Sequence, residues 1–243
     1  LCLDDGTQFT DESDVNGSVI SSWLWDFGNG QQSMEQNPLN YYNSAGGFVV
    51  SLVVQSANGC VDSLQQAIVV NENPVAAFSA VPSIVELFQE VQFTDESTGS
   101  VSWNWNYGDF SSGSSIQNPS HNYSDTGVFV VTLIIENQYG CPDTTTGEVI
   151  VNMAPTVPSG FSPNGDGEND ILYVFGGPYS KMDFRIYNNW GELIFVSNNQ
   201  SNGWNGKRDG MDQPMGVYIF TLNATRIDGT EYKNLHGDIT LLK

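Results

Sequence analysis

The hexapeptide QFTDES occurs twice, at residues 8–13 and 92–97, and the correspondence continues well past it. SWLWDFGNG (22–30) matches SWNWNYGDF (102–110), NPLNYYNSAGGFVVSLVV (37–54) matches NPSHNYSDTGVFVVTLII (118–135), and both copies end in Gly-Cys, at Gly59-Cys60 and Gly140-Cys141. An offset near 81 residues is too long for a solenoid unit and suits tandem small domains. Within each copy the apolar period is two: Trp23, Trp25 and Phe27 alternate, as do Phe48, Val50, Leu52 and Val54, and Gly, Asn and Pro interrupt the chain at short intervals. Helical spacing is absent. Such units of short alternating strands imply immunoglobulin-like β-sandwiches. The chain is therefore read as all-β, three tandem immunoglobulin-like β-sandwich domains over residues 1–73, 74–154 and 155–243.

Charge marks where the duplication stops. Residues 1–154 carry 18 acidic side chains and no basic one, whereas 155–243 carry ten acids and all seven Lys and Arg, beginning at Lys181. A surface without cations cannot neutralise phosphates, so nucleic acid and anionic membranes are poor partners for the first part. A hydrophobic content of 39% and an aromatic content of 12% set it apart from a disordered acidic tail. The longest apolar run, Phe48 to Val54, is about seven residues against roughly 20 for a membrane-spanning helix. The chain opens at Leu1 with no signal-peptide pattern and is read as the C-terminal part of a longer protein. No nucleophile elbow is present, and His121 and His236 have no evident triad partners, so the chain is not read as an enzyme.

The pattern Trp-x-Phe/Tyr-Gly-x-Gly, then Asn-Pro, then Tyr-x-x-x-Gly-x-Phe-x-Val-x-Leu-x-Val resembles the PKD (polycystic kidney disease) domain of extracellular proteins. The first copy carries it through Trp25, Asp26, Phe27, Gly28, Gly30, Pro38, Tyr42, Gly46 and Phe48, and the second departs at Asn106 and Phe110. The resemblance implies a spacer or adhesive module. The three cysteines are too widely spread for a zinc knuckle. Cys2 stands seven residues before Phe9, where the second copy has Glu86 before Phe93. On that mismatch a disulfide between Cys2 and Cys60 is expected, worth about 4 kcal/mol by loop entropy, with Cys141 as a buried free thiol. Trp25 and Trp105 are assigned to the two cores. Trp23 and Trp103 stay open between core packing and stacking on sugar rings.

Between the second copy and the basic region lies FSPNGDGEND (161–170). Counted as an EF-hand from Asn164, it puts Asn169 where the glycine belongs and Phe175 where the bidentate Glu belongs, so that reading fails. What remains is a turn-rich segment built on Pro163, Asn164, Gly165, Asp166 and Gly167. Calcium, held by Asn164, Asp166, Glu168 and Asp170 with backbone carbonyls, is the one cofactor candidate; a self-satisfied Asx turn is the alternative. Downstream, FRIYNNWGELIFVS (184–197) reads as a hairpin, GWNGKRDG (203–210) as a loop, GVYIFTLNA (216–224) as a strand, and GDITLLK (237–243) as a terminal edge strand.

Taken in order, these motifs resemble the gliding-motility-associated C-terminal domain, the type B sorting domain of the bacterial type IX secretion system. The residues that carry the resemblance are Phe161, Pro163, Asn164, Gly165, Asp166, Gly167, Asn169, Asp170, Asn188, Trp190, Gly191, Trp204, Gly206, Gly216, Tyr218 and Gly237. Asn189 stands where the family usually has Arg. The resemblance implies export to the cell surface and attachment at the outer membrane, with a PorP/SprF-type β-barrel and the type IX translocon as partners. The PKD pair would then space an adhesive region from the cell. The alternative is a carbohydrate-binding accessory region of a secreted polysaccharide-degrading enzyme, with surface glycans as partners.

Overall fold

A computed structural model describes residues 1–14 and 19–242; Lys243, the last residue of the GDITLLK motif, lies outside them. The described residues contain strands and turns and no helix. In the first repeat β1 (Gly6–Gln8), β2 (Ile20–Asp26), β3 (Gln32–Ser33), β4 (Leu39–Tyr41), β5 (Gly46–Ser56) and β6 (Val61–Val70) form a β3-β2-β5-β6 sheet facing a β1-β4 pair. The second repeat comprises β7 (Phe78–Val81), β8 (Ile84–Glu86), β9 (Glu90–Asp95), β10 (Ser102–Asn106), β11 (Ser120–Asn122), β12 (Gly127–Glu136) and β13 (Pro142–Thr156), of which β7 and β8 precede the counterpart of β1. Here β11-β9-β7 faces β10-β12-β13, with β8 parallel to β13.

The alternation read from the sequence puts Trp25, Phe27, Val50, Leu52 and Val54 into one core and Trp105, Tyr107, Val131, Leu133 and Ile135 into the other. Gly28 and Gly108 are obligatory. Both have positive φ, and a Cβ would lie 2.7 Å from the Val49 carbonyl oxygen or 2.5 Å from that of Val130. Asn106 repeats the role of Asp26, accepting the glycine N–H at 2.9 Å. Phe110 keeps the left-handed conformation of Gly30, with φ of 62° against 86°.

The third unit comprises β14 (Gly160–Phe161), β15 (Phe175–Gly177), β16 (Tyr179–Tyr187), β17 (Leu193–Ser197), β18 (Lys207–Arg208), β19 (Met211–Asp212), β20 (Gly216–Arg226) and β21 (Glu231–Leu241). Its main sheet runs β14-β21-β20-β16-β17. The terminal strand is therefore interior, not an edge as its sequence suggests. It is antiparallel to β20 along its length and takes β14 in parallel on its other side. The second layer is made of short pieces, and Leu172, Val174 and Trp204 pack with Met182, Phe184, Leu222 and Ile239. The loop GWNGKRDG contains the small β18-β19 hairpin.

The expected Cys2–Cys60 pairing is overturned. Cys2 is bonded to Cys141 of the second repeat, with a Cα–Cα distance of 5.5 Å, and Cys60 is free and exposed. The β5-β6 hairpin explains why. Cys2 lies beside Asn71, at the end where Gly46 pairs with Val70, while Cys60 sits in the turn at the other end. Ten residues of strand put the two poles on the order of 30 Å apart. The Asn71 pole abuts the 137–141 turn of the second repeat, where Asn137 Nδ2 donates to the Glu72 carbonyl at 2.8 Å. Cys141, expected to be a free thiol, is buried within this junction.

The next junction has the same layout with an ion pair in place of the disulfide. Arg226, 5% exposed, donates from both terminal nitrogens to the Glu86 carboxylate at 2.8 and 3.2 Å. Asn152 Nδ2 donates to Asp228 at 2.8 Å. Strand β13 carries on across this boundary to pair with β15.

Candidate functional site

The motif residues of the third unit divide into those that build the fold and those that remain outside it. Phe161, Trp204 and Tyr218 form a buried aromatic row, with centroids 5.1 and 4.9 Å apart. The Trp204 indole N–H donates to the Lys207 carbonyl at 3.0 Å, and the Tyr218 hydroxyl to that of Pro214 at 2.8 Å. Gly206, at φ +76°, lies against Pro163, and Gly237 lies under the Phe220 ring; a Cβ at either would come within 2.8 Å of those rings. These contacts draw FSPNGDGEND onto GWNGKRDG.

Within FSPNGDGEND the carboxylates are turned onto the backbone. Asp170 accepts from Gly165 N–H at 2.7 Å and Gly167 N–H at 2.9 Å, Asn164 Oδ1 from Asp166 N–H at 3.0 Å, and Asp166 Oδ1 from Glu168 N–H at 2.8 Å. The amide of Glu168 beside it holds the Asp166 carboxyl below its ordinary range. Asn169 takes a left-handed φ of 53°, and its carbonyl accepts from Ser162 N–H. Among the described residues no cluster of three or more His, Cys, Asp or Glu is placed to hold a metal.

The exposed motif residues gather at one pole. Strand register puts Gly216 opposite Leu241 and Tyr187 opposite Ile219. The start of β20, the end of β21 and the β16-β17 turn therefore lie together, away from Arg226. In that turn Asn188 Oδ1 accepts from Trp190 and Glu192 N–H at 3.0 and 2.9 Å, Gly191 has positive φ, and the Trp190 side chain is 93% exposed. Glu192 pairs with Arg208 of the neighbouring β18-β19 hairpin, which holds the Glu192 carboxyl below its ordinary range. The arrangement is a solvent-facing indole on a hydrogen-bonded turn, flanked by an ion pair. Exposed Leu193, Val217 and Ile219 continue the apolar character along the outer face of the same sheet.

In the first two units the sequence signatures prove to be internal staples. The Gln8 and Gln92 side-chain amides donate to the carbonyls of Asn37 and Pro38, and of Asn118 and Pro119. Asp11 and Asp95 accept the indole N–H of Trp23 and Trp103, each at 2.7 Å. Both indoles pack against their cores and are not laid open as a platform. His121 Nε2 lies 2.7 Å from Asp109, and the imidazole stacks on Tyr107 at 4.0 Å. Ser111 bonds to Asp109, not to the imidazole, so the trio lacks the nucleophile-to-base contact of a triad.

A PKD domain model matches residues 2–70 and again residues 71–151. The chain belongs to the PKD family. The PKD pair is followed by a type IX secretion signal domain, matched over residues 155–240. Among curated proteins, the pre-pro-metalloprotease PrtV of Vibrio cholerae is 40% identical over 88 residues, 36% of this chain and 9% of that protein. Collagenase ColA of Bacillus cereus is 39% identical over 59 residues, 24% of this chain and 6% of that protein. The chain thus spans less than a tenth of the length of these relatives. Two solved PKD1 domains are similar. That of Vibrio anguillarum Epp has 28% identity and a TM-score of 0.30, covering 33% of this chain and 95% of its own. That of Vibrio cholerae PrtV has 25% identity and a TM-score of 0.29, covering 32% and 96%. PKD and secretion signal domains are of non-catalytic type, and the signal domain marks the chain for export from the cell.

The PKD staples carry a pH dependence. Burial raises the pKa of Asp11 and Asp95, but hydrogen bonds from Ser13 and Ser97, from Trp23 and Trp103, and from Gln36 and Gln117 outweigh it and leave both below the ordinary 3.8. A lowered folded pKa gives stability that is present above the unfolded value and lost as pH falls through the folded one. Through these two groups, thermal melting of the PKD pair should be flat above about pH 5 and fall as pH drops below 3.8. Trp103→Phe, which removes one donor, should reduce that fall, and an unchanged acid profile would count against the staple.

Proposed function

We propose that this chain is the export and display end of a gliding-adhesin-like cell-surface protein. In this reading the PKD pair is a spacer, and the signal domain is recognised by the type IX translocon and anchored at the outer membrane on a PorP/SprF-type β-barrel. The observation that carries the reading is the segregation of the signal motifs. Phe161, Trp204, Tyr218 and Gly206 are spent on the fold, while Asn188, Trp190 and Gly191 form a fixed, exposed turn at the pole opposite the PKD pair. An exposed Trp beside a paired Arg is the composition of an interface hot spot.

Fusing residues 155–243, behind a secretory signal peptide, to a fluorescent protein should place fluorescence outside the outer membrane in a type IX-competent host. Trp190→Ala should weaken surface retention without lowering the melting temperature. A folded fusion that stays periplasmic with the matching barrel present would overturn the reading. A second reading is an accessory region of a secreted enzyme; the similar PKD segments occur in a metalloprotease and a collagenase, which support an enzyme-borne PKD pair but not a polysaccharide substrate. In its polysaccharide form that reading predicts glycan retention by residues 1–154, and absence of retention would remove it.

A further inference from the structure

Four hairpin turns among the described residues share one construction. Ser56 N–H donates to the Cys60 carbonyl and Gly59 N–H to that of Ser56. Asn137 and Cys141 repeat the first bond, and Gly140 the second; in the third unit Asn188, Glu192 and Gly191 do so at one pole, and Arg226, Thr230 and Gly229 at the other. Gly59, Gly140 and Gly229 have φ of 83°, 80° and 89°. The segments that meet these turns are equally alike. Cys2 and Glu86 lie beside Asn71 and Asn152, Leu3 and Leu87 N–H donate to the carbonyls of those two asparagines, and Asp4 and Phe88 share φ of 62° and 65°.

Two of the four turns receive the opening segment of the unit before them, and the 188–192 turn, at the far pole of the third unit, carries no cysteine. The 137–141 turn receives Cys2 as a disulfide to Cys141, and the 226–230 turn receives Glu86 as an ion pair to Arg226. The 56–60 turn has the same form, and its cysteine occupies the place of Cys141. Yet Cys60 is exposed and unbonded, whereas Cys141, with a unit packed on its turn, is 0% exposed. The turn also lies at the pole of the first repeat opposite Cys2, so neither cysteine of this chain can reach it.

We propose that the 56–60 turn is a docking face for a further PKD repeat of this kind, and that Cys60 forms a disulfide with the cysteine that holds the Cys2 position in that repeat. Successive repeats are thereby riveted opening segment to turn, and the series ends at Glu86–Arg226, where the signal domain accepts an ion pair in place of a thiol. The bond forms by thiol–disulfide exchange. One thiolate attacks an oxidised dithiol–disulfide oxidoreductase, the second cysteine displaces the mixed disulfide, and the two protons and two electrons lost by the thiols leave on the reduced donor.

The test adds a repeat in the observed register. Residues 1–84 are placed ahead of Leu1 of the full chain, so that the added Ile84 precedes Leu1 as it precedes Val85 here. After oxidation by glutathione disulfide, non-reducing peptide mapping should find Cys2 of the added repeat joined to Cys60 and the original Cys2 joined to Cys141. Native alkylation of Cys60, complete in the parent chain, should fall at least tenfold, and Cys2→Ser in the added repeat should restore it. A second added repeat, residues 74–152 with Glu86→Cys followed by residues 72–84, must give the same link. If Cys60 stays fully alkylated in both chains while the original Cys2–Cys141 bond is intact, the proposal is wrong. Cys60 bonded to either original cysteine would overturn it equally.

Discussion

Deletion of residues 237–243 should abolish export and leave the signal domain without its fold. The segment is half of β21, which is paired on both sides, to β20 from Gly216 to Phe220 and to β14 through Gly160 and Phe161. It also takes Ile239 and Leu241 out of the core, both at most 2% exposed. An edge strand could be shed with its neighbours still paired. Loss of an interior strand cuts the sheet in two and strips Phe161, the anchor of FSPNGDGEND, of its ladder. The deletion should give a protease-sensitive protein with no near-UV signature from Trp204, retained in the periplasm. The milder Leu241→Ala should cost about 2–5 kcal/mol and reduce export in proportion. Normal export by the deletion would mean that the motifs ahead of β21 are read as unfolded sequence.

Trp204→Ala should destabilise the signal domain by about 3–5 kcal/mol, the range for truncating a large buried aromatic. The side chain is fully buried between Phe161 and Tyr218, and its indole N–H bond to Lys207 would be lost with it. Trp190→Ala should move stability by no more than about 0.5 kcal/mol, as exposed positions do. Denaturant unfolding of the two variants separates the roles. The first should shift the midpoint strongly, and the second should leave it in place while impairing retention at the surface. Equal losses of stability would mean that the turn bearing Trp190 belongs to the fold and is not free to dock.

What could be read from the sequence follows the range of the interactions concerned. Trp25 and Trp105 were legible as core because strand alternation is local, and the duplication showed it twice. The Asn188 turn was legible for the same reason, since Asn, Gly and flanking apolar strands are contiguous. The disulfide was not. Matching Cys2 to Cys60 assumes a bond closed within one repeat, whereas the length of the β5-β6 hairpin separates those poles and the junction supplies Cys141. The interior place of β21 also escaped, because its parallel partner Gly160–Phe161 lies some 80 residues upstream. The ion pair between Arg226 and Glu86 left one faint sign: Glu stands where the first repeat has Cys, and a single Arg occurs in the turn that faces it.

The Cys2–Cys141 bond sets a mechanical load path. Tension entering at Leu1 crosses the disulfide one residue later and continues through β13 towards the signal domain, without running along the backbone between the two cysteines. The bypassed stretch spans a sequence separation of 139 residues, about 470 Å of contour at roughly 3.4 Å per residue. While the bond is oxidised, none of that length can be paid out, even if either PKD repeat melts. The PKD pair then behaves as a strap of fixed length, and only reduction turns it into an extensible tether.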